Sequence, residues 1–175
     1  MTYREFRADY YRYTASAHIS WIKVLSNHAL MYLLGLRLPA LKWLRHHYSV
    51  KYGINLGNGS GIGEGLYLGH AYGINVNPNA KLGKNCSLHK GCTIGQENRG
   101  SRAGAPTLGD CVWVGINACI VGNIQIGSDV LIAPNSYVNC DVPDHSIVIG
   151  NPAKIIPSAN ATVAYITNII EDNSI

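Results

Sequence analysis

The chain has 175 residues, 47% of them apolar and only 14% charged, which is enough for one domain with a real core plus an extension. The net charge of +4 is uneven: residues 1–52 hold eight Lys/Arg against Glu5 and Asp9, and the remainder holds six against eight acids. The slightly acidic remainder argues against nucleic acid as a partner, and the basic N-terminal segment reads as a solvated helix face rather than a membrane-surface contact.

Met1–Tyr13 is charged and tyrosine-rich, which fits a first short helix and not a signal peptide. Over Ser20–Leu36, Trp21, Val24, Leu25, His28, Met31, Tyr32 and Gly35 recur at helical steps. Leu30, Leu33 and Leu34 make the other faces apolar as well, so this helix is expected to be buried or packed on a neighbouring subunit. Its longest uncharged run, Val24–Leu36, is thirteen residues, too short to span a bilayer. Pro39 suits the first turn of a further helix that ends near His46 and His47, whose placement complements the helix dipole. Residues 1–52 are therefore expected to form an α-helical segment of a cytoplasmic protein.

A different pattern follows. At steps of six run Ile62, Leu68, Ile74, Ala80, Cys86 and Cys92, then Val112, Ala118, Ile124, Val130, Ser136 and Val142. Two residues later lies a second row: Leu82, Leu88, Ile94, then Leu108, Val114, Ile120, Ile126, Ile132 and Val138. Neither the helical nor the strand period gives this. A hexapeptide repeat does, and it marks a parallel β-helix in which three units close one triangular coil. The nineteen glycines fit its frequent tight corners. The coil domain spans 53–156, and 157–175 is a tail with a short helix expected over Ser158–Ile170.

Two places break the rows. His70 falls two residues after Leu68, on the second row, where later coils carry Leu, Val or Ile; it is either a buried, satisfied histidine or a functional one. Residues 96–105 hold no in-phase apolar residue, so a loop must leave the coils there. Loops on a rigid scaffold are where function concentrates. His89 directly follows Leu88 and is expected to point outward, one coil above His70. The five cysteines are odd in number, lack CxxC spacing and include Cys86 and Cys92 on an inward row, which suggests free thiols in a reducing compartment.

Gly63-Glu64-Gly65-Leu66-Tyr67-Leu68-Gly69-His70, Gly91-Cys92-Thr93-Ile94-Gly95, the excursion, Val112-Trp113-Val114-Gly115 and Gly150-Asn151-Pro152-Ala153-Lys154 follow one another in order. Over about residues 50–156 the chain thereby resembles the serine acetyltransferase branch of the hexapeptide acyltransferases. The resemblance implies a mainly β fold, a left-handed parallel β-helix that departs from the usual right-handed crossover. It also implies a homotrimer and acetyl transfer from acetyl-CoA to a hydroxyl; flat-faced triangular coils packing side by side predict the same trimer, with the N-terminal helices as the place where two trimers would pair. His70 occupies the position of the general base, a role that suits an imidazole near neutral pH. Asn55 stands where the family has the orienting carboxylate; it can accept the ring N–H but supplies no charge, and Glu64 is a possible substitute.

Gly95, Gly115 and Ala133 match the positions along which the family lays acetyl-CoA, and Lys154 that of a phosphate contact. No metal is expected. At the acceptor, Gly69, Gly104 and Ala105 stand where serine acetyltransferases carry the charged groups that hold a zwitterion. Asp9 is the nearest counterpart of a further substrate aspartate, and His89, Arg99 and Arg102 are the remaining candidates for acceptor contacts. A buried charge needs a partner, so the expected acceptor is a neutral hydroxyl, such as a sugar in surface-polysaccharide assembly. L-serine, as in cysteine biosynthesis, is the alternative. A zinc hydrolyase would need about three histidines on adjacent coils, and only His70 and His89 lie in coils. A non-catalytic trimerising scaffold would not need a loop.

Overall fold

The computed structural model describes residues 46–47, 49–57 and 61–170. Asp9, the N-terminal tyrosines, the helices expected over Met1–Tyr13 and Ser20–Leu36, and the turn at Asn58–Ser60 lie outside the described residues. Residues 46–47 and 49–52 are helical.

Strands of two to four residues then follow, three to a coil. The first coil has β1 (Asn55–Leu56), β2 (Gly61–Ile62) and β3 (Tyr67–Gly69). The second has β4 (Asn75–Val76), β5 (Lys81–Leu82) and β6 (Ser87–His89). The third has β7 (Thr93–Gly95), β8 (Thr107–Leu108) and β9 (Val112–Val114), and the fourth β10 (Cys119–Val121), β11 (Gln125–Ile126) and β12 (Val130–Ile132). β13 (Tyr137–Val138), β14 (Ser146–Ile149) and β15 (Lys154–Pro157) close the stack. Corresponding strands pair in parallel into three sheets: A with the order β1-β4-β7-β10-β13, B with β11-β8-β5-β2, and C with β15-β14-β12-β9-β6-β3. Among the described strands only β15 runs antiparallel to its neighbour, β14. The result is the parallel β-helix that the repeat predicts, about five turns tall.

Inward residues come in pairs two apart, such as Cys86 and Leu88, Cys92 and Ile94, Ala118 and Ile120, or Val130 and Ile132, and all of these are buried. Removing them from water is the main stabilising term, at about 25 cal/mol per Å² of apolar surface. The corners repeat as strictly as the core. At the corner from sheet B to sheet C, Gly65, Asn85, Cys111, Asp129 and His145 all adopt positive φ. At the corner from C to A the same is true of Gly53, Gly73, Gly91, Asn117 and Asn135. Each row is a left-handed turn, tolerated by Gly for want of a Cβ and by Asn or Asp through local hydrogen bonds.

The six-residue phase fails at two places that the sequence rows pass straight through: before Val142, which pairs with Ile126 only sixteen residues back and so belongs to the second row, and at the corner beside His70. Asn75 pairs with Thr93, eighteen residues on, but Asn55 pairs with Asn75, twenty residues on. Likewise Leu68 pairs with Leu88 and Ile62 with Leu82. Ile62 and Leu68 thus belong to the second row, not the first. The two extra residues lie in the corner between Gly69 and Asn75. There His70-Ala71-Tyr72-Gly73 replaces the Lys90-Gly91 of the coil above.

The expected loop is present. Thr93 pairs with Cys119, twenty-six residues on, and the surplus is an excursion closed by a Glu97–Gly104 bridge. The tail differs from expectation: residues 158–170 form turns and irregular chain, not a helix. Side chains of the coils take the backbone groups a helix would need. Asp129 accepts from the Ala161 and Thr162 N–H groups and from the Thr162 hydroxyl. Asn85, buried, clasps both the N–H and the carbonyl of Ile170. The tail is therefore a strap tied along the B-to-C corner.

Candidate active site

The extra-long corner decides where His70 goes. It ends β3 with positive φ (50°), outside both rows of left-handed corner residues, and its side chain is exposed. The expectation that it intrudes on the inward row is therefore corrected. The two-residue shift that moves Leu68 onto that row turns His70 out at the corner. A non-glycine residue at positive φ is uncommon, though His is among the types that adopt it, and such backbone clusters at functional sites. Among the described residues His70 makes no hydrogen bond, so its ring is open to a ligand. Asn55, exposed in β1, makes no hydrogen bond to it, and Glu64 sits at the opposite end of β3. Neither orients the ring.

His89 lies where the sequence placed it. Leu88 is fully buried, so the next side chain points outward, and Gly69 pairs with His89 one coil above. Its ring is half-buried between Tyr67 and Trp113, with ring centroids 6.2 and 4.5 Å away. Nδ1 lies 3.1 Å from the Val114 carbonyl oxygen, which can only accept, so Nδ1 carries the proton and donates. Burial lowers the pKa of this imidazole, the Val114 bond opposes that, and the nearby His70 lowers it further.

The residues expected along acetyl-CoA divide between two places. Val114 pairs with Leu88 below and Ile132 above, so Gly115 and Ala133, the next residues outward, continue the column that starts at Gly69 and His89. A Cβ on Gly115 would lie 2.7 Å from the Pro134 nitrogen and 2.8 Å from the Ile132 oxygen, so close coil stacking already requires glycine there. The N–H groups of Gly115 and Ala133 bond to the Ile132 and Val148 carbonyls. What these two residues offer a ligand is a shallow, small-residue track leading up from His70. Gly95 is elsewhere, on sheet A beside Val121 at the A-to-B corner.

That second corner also carries the loop. Arg99 and Arg102 line a cleft of about 410 Å³ with Glu97, Val121, Tyr137 and Asn139, and the Arg102 guanidinium donates to the Asn139 carbonyl. Gly104 and Ala105 bring no charge. Within one chain the loop does not stand beside His70: the width of sheet A separates them. Lys154 is exposed at the start of β15, at the far end of the stack. Asp9 lies outside the described residues. The paired role of Gly69 and His89 was missed by the sequence reading. Its signal was the spacing of apolar pairs, since Leu66/Leu68 and Ile74/Val76 stand eight apart where the pairs from Ile74/Val76 to Cys92/Ile94 and from Val112/Val114 to Ser136/Val138 stand six apart.

The remaining chemistry is structural. None of the five cysteines forms a disulfide, and burial pushes the Cys92 thiol up to about 12. Among the described residues no group of three His, Cys, Asp or Glu is placed to hold a metal ion, and no helix is long and apolar enough to cross a membrane.

Comparison with known proteins supplies the lineage. Residues 105–140 match the family model described as bacterial transferase hexapeptide (six repeats). The serine acetyltransferase of Synechococcus elongatus is 36% identical over 121 residues, 69% of this chain and 50% of that protein. A crystal structure of Neisseria gonorrhoeae serine acetyltransferase superposes with a TM-score of 0.71 at 30% identity, covering 96% of this chain and 68% of that one. A Brucella abortus serine acetyltransferase in complex with coenzyme A does so with 0.70 at 28% identity, covering 88% and 65%. The chain spans about half the length of the curated relative it matches. On these likenesses the chain belongs to the serine acetyltransferase-like branch of the hexapeptide-repeat, left-handed β-helix acyltransferases.

Proposed function

We propose that the protein is an acetyl-CoA-dependent O-acetyltransferase in which His70 acts as general base. His70 takes the proton of the acceptor hydroxyl as its oxygen attacks the thioester carbonyl; the C–S bond breaks and CoA leaves as the thiol. One observation carries this reading: a two-residue insertion, found in no other coil, turns an unbonded histidine out at the foot of a small-residue track. Coenzyme A bound to the Brucella abortus relative supports acetyl-CoA as donor.

The relatives favour L-serine as acceptor over the sugar expected from the sequence, since they are serine acetyltransferases. The sugar remains a second reading on one specific ground. Gly69, Gly104 and Ala105 offer no charge to an ammonium or a carboxylate. Release of CoA thiol from acetyl-CoA, measured with L-serine and with a panel of sugars, separates the two. Turnover with L-serine alone supports the first reading, turnover with a sugar alone the second, and no release with any acceptor overturns the acetyltransferase reading.

The site is read as shared between subunits of a homotrimer. His70, His89, Gly115 and Ala133 lie at the C-to-A corner, and Gly95, Arg99 and Arg102 at the A-to-B corner. A cyclic assembly that sets one protomer's first corner against its neighbour's second reunites them. Five cysteines with no disulfide among them fit a reducing, cytoplasmic setting.

A further inference from the structure

The imidazole of His89 has a fixed proton and an uncommitted lone pair. Its Nδ1–H is used by the Val114 carbonyl, so Nε2 is a bare acceptor. Among the described residues nothing donates to Nε2. The ring cannot turn freely, because Tyr67 and Trp113 lie on either side, and Trp113 is in turn backed by Tyr165 of the strap at 5.1 Å.

The Cδ2–Nε2 edge faces the residue that precedes His70. A Cβ built on Gly69 would fall 2.4 Å from both Cδ2 and Nε2 of His89. Real Cβ atoms do not come so close, so any side chain at position 69 would expel the ring. Gly69 has no positive φ to explain its lack of a Cβ. The ring itself is the explanation: the glycine leaves the space, and Nε2 fills it beside the base.

Resting on the acetyltransferase reading, we propose that His89 is the specificity-determining residue of the acceptor subsite. Nε2 accepts a hydrogen bond from a second donor on the acceptor, the ammonium of L-serine or another hydroxyl of a sugar, while His70 engages the reacting hydroxyl. A neutral imidazole in place of a charged group selects acceptors by hydrogen bonding and not by ion pairing.

Nitrogen-15 NMR of the labelled full chain, titrated with L-serine and with sugars in the presence of CoA, reads this without turnover. The expected spectrum has His89 protonated on Nδ1, with the Nε2 resonance moving on acceptor addition. Protonation on Nε2 instead, or an Nε2 resonance unmoved by an acceptor that is turned over, overturns the proposal. Absence of thiol release in the wild type overturns the acetyltransferase reading, and the Nε2 titration then still decides whether His89 binds these molecules.

Kinetics give a second handle. In His89→Leu the acceptor KM rises about tenfold, as for loss of one hydrogen bond to a polar or charged group, while the KM for acetyl-CoA does not move. His89→Gln, whose amide oxygen can accept the same bond, recovers part of the loss, and Gly69→Ala, which displaces the ring, behaves like His89→Leu. For an acceptor analogue lacking the second donor, 3-hydroxypropanoate in place of L-serine, His89→Leu costs nothing further. Equal losses for both acceptors, or no gain from Gln over Leu, would mean that the ring serves packing alone.

Discussion

At the scale of single residues, the two histidines at the C-to-A corner divide the work by environment. His70 is exposed and unbonded, whereas His89 is half-buried and kept from protonation chiefly by burial. A histidine whose folded pKa lies below the ordinary 6.5 costs stability when the pH falls. The unfolded chain begins to take up a proton near 6.5, the folded chain only lower down, and the difference grows between the two values. His89→Gln should therefore flatten the fall in melting temperature between neutral and mildly acid pH relative to the wild type. An unchanged slope would contradict the depressed pKa. Asp129 works the opposite way. Burial would raise its pKa, but hydrogen bonds from Thr162, His145 and Ala161 outweigh that and hold it below the ordinary 3.8. Its contribution is complete above that value and is lost as the pH falls through the lower, folded one, so the strap should loosen only in strong acid. Proteolysis within residues 158–170 that begins already at mildly acid pH would speak against this.

Among the elements, the strap and the long corner each make a separable prediction. Asn85 supplies both a left-handed corner and two hydrogen bonds to Ile170. Asn85→Gly keeps the corner and removes the bonds, and should cost about 1–3 kcal/mol because Ile170's buried groups lose their partner. Asn85→Ala should cost more, since a Cβ without a polar tip adds strain at positive φ. Chemical denaturation of both variants gives the order, and equal losses would refute the corner argument. Deleting Ala71 and Tyr72 would make the long corner match Lys90-Gly91 above it. The expected product is a folded coil stack that still binds CoA and no longer turns over, because His70 is no longer swung out; retained turnover would show that the insertion is incidental.

Across the whole molecule, the six-residue period was readable because burial repeats strictly: inward pairs stand six apart from Ile74/Val76 to Cys92/Ile94 and again from Val112/Val114 to Val130/Ile132, with a shift of two residues across the loop. The corner at His70 was not, because Leu68 and Ile74 happen to stand six apart while belonging to different rows. An apolar row cannot reveal a shift equal to the spacing between its own two tracks. For the same reason His70 was singled out on a wrong placement. The tail was misread because its helical spacing competes with Asp129 and Asn85, side chains from distant coils that no local pattern contains. The separation of His70 from the loop follows from which corner each occupies, and it predicts an oligomer: sedimentation at micromolar concentration should show a trimer or a multiple of one, and a monomer would leave the two halves of the site apart. The central claim rests on His70. In a thiol-release assay with the acceptor that the wild type uses, His70→Ala should lose turnover by about 10²–10⁴-fold, as for a general base, with assembly and CoA binding intact. Near-full turnover in that variant would contradict the account.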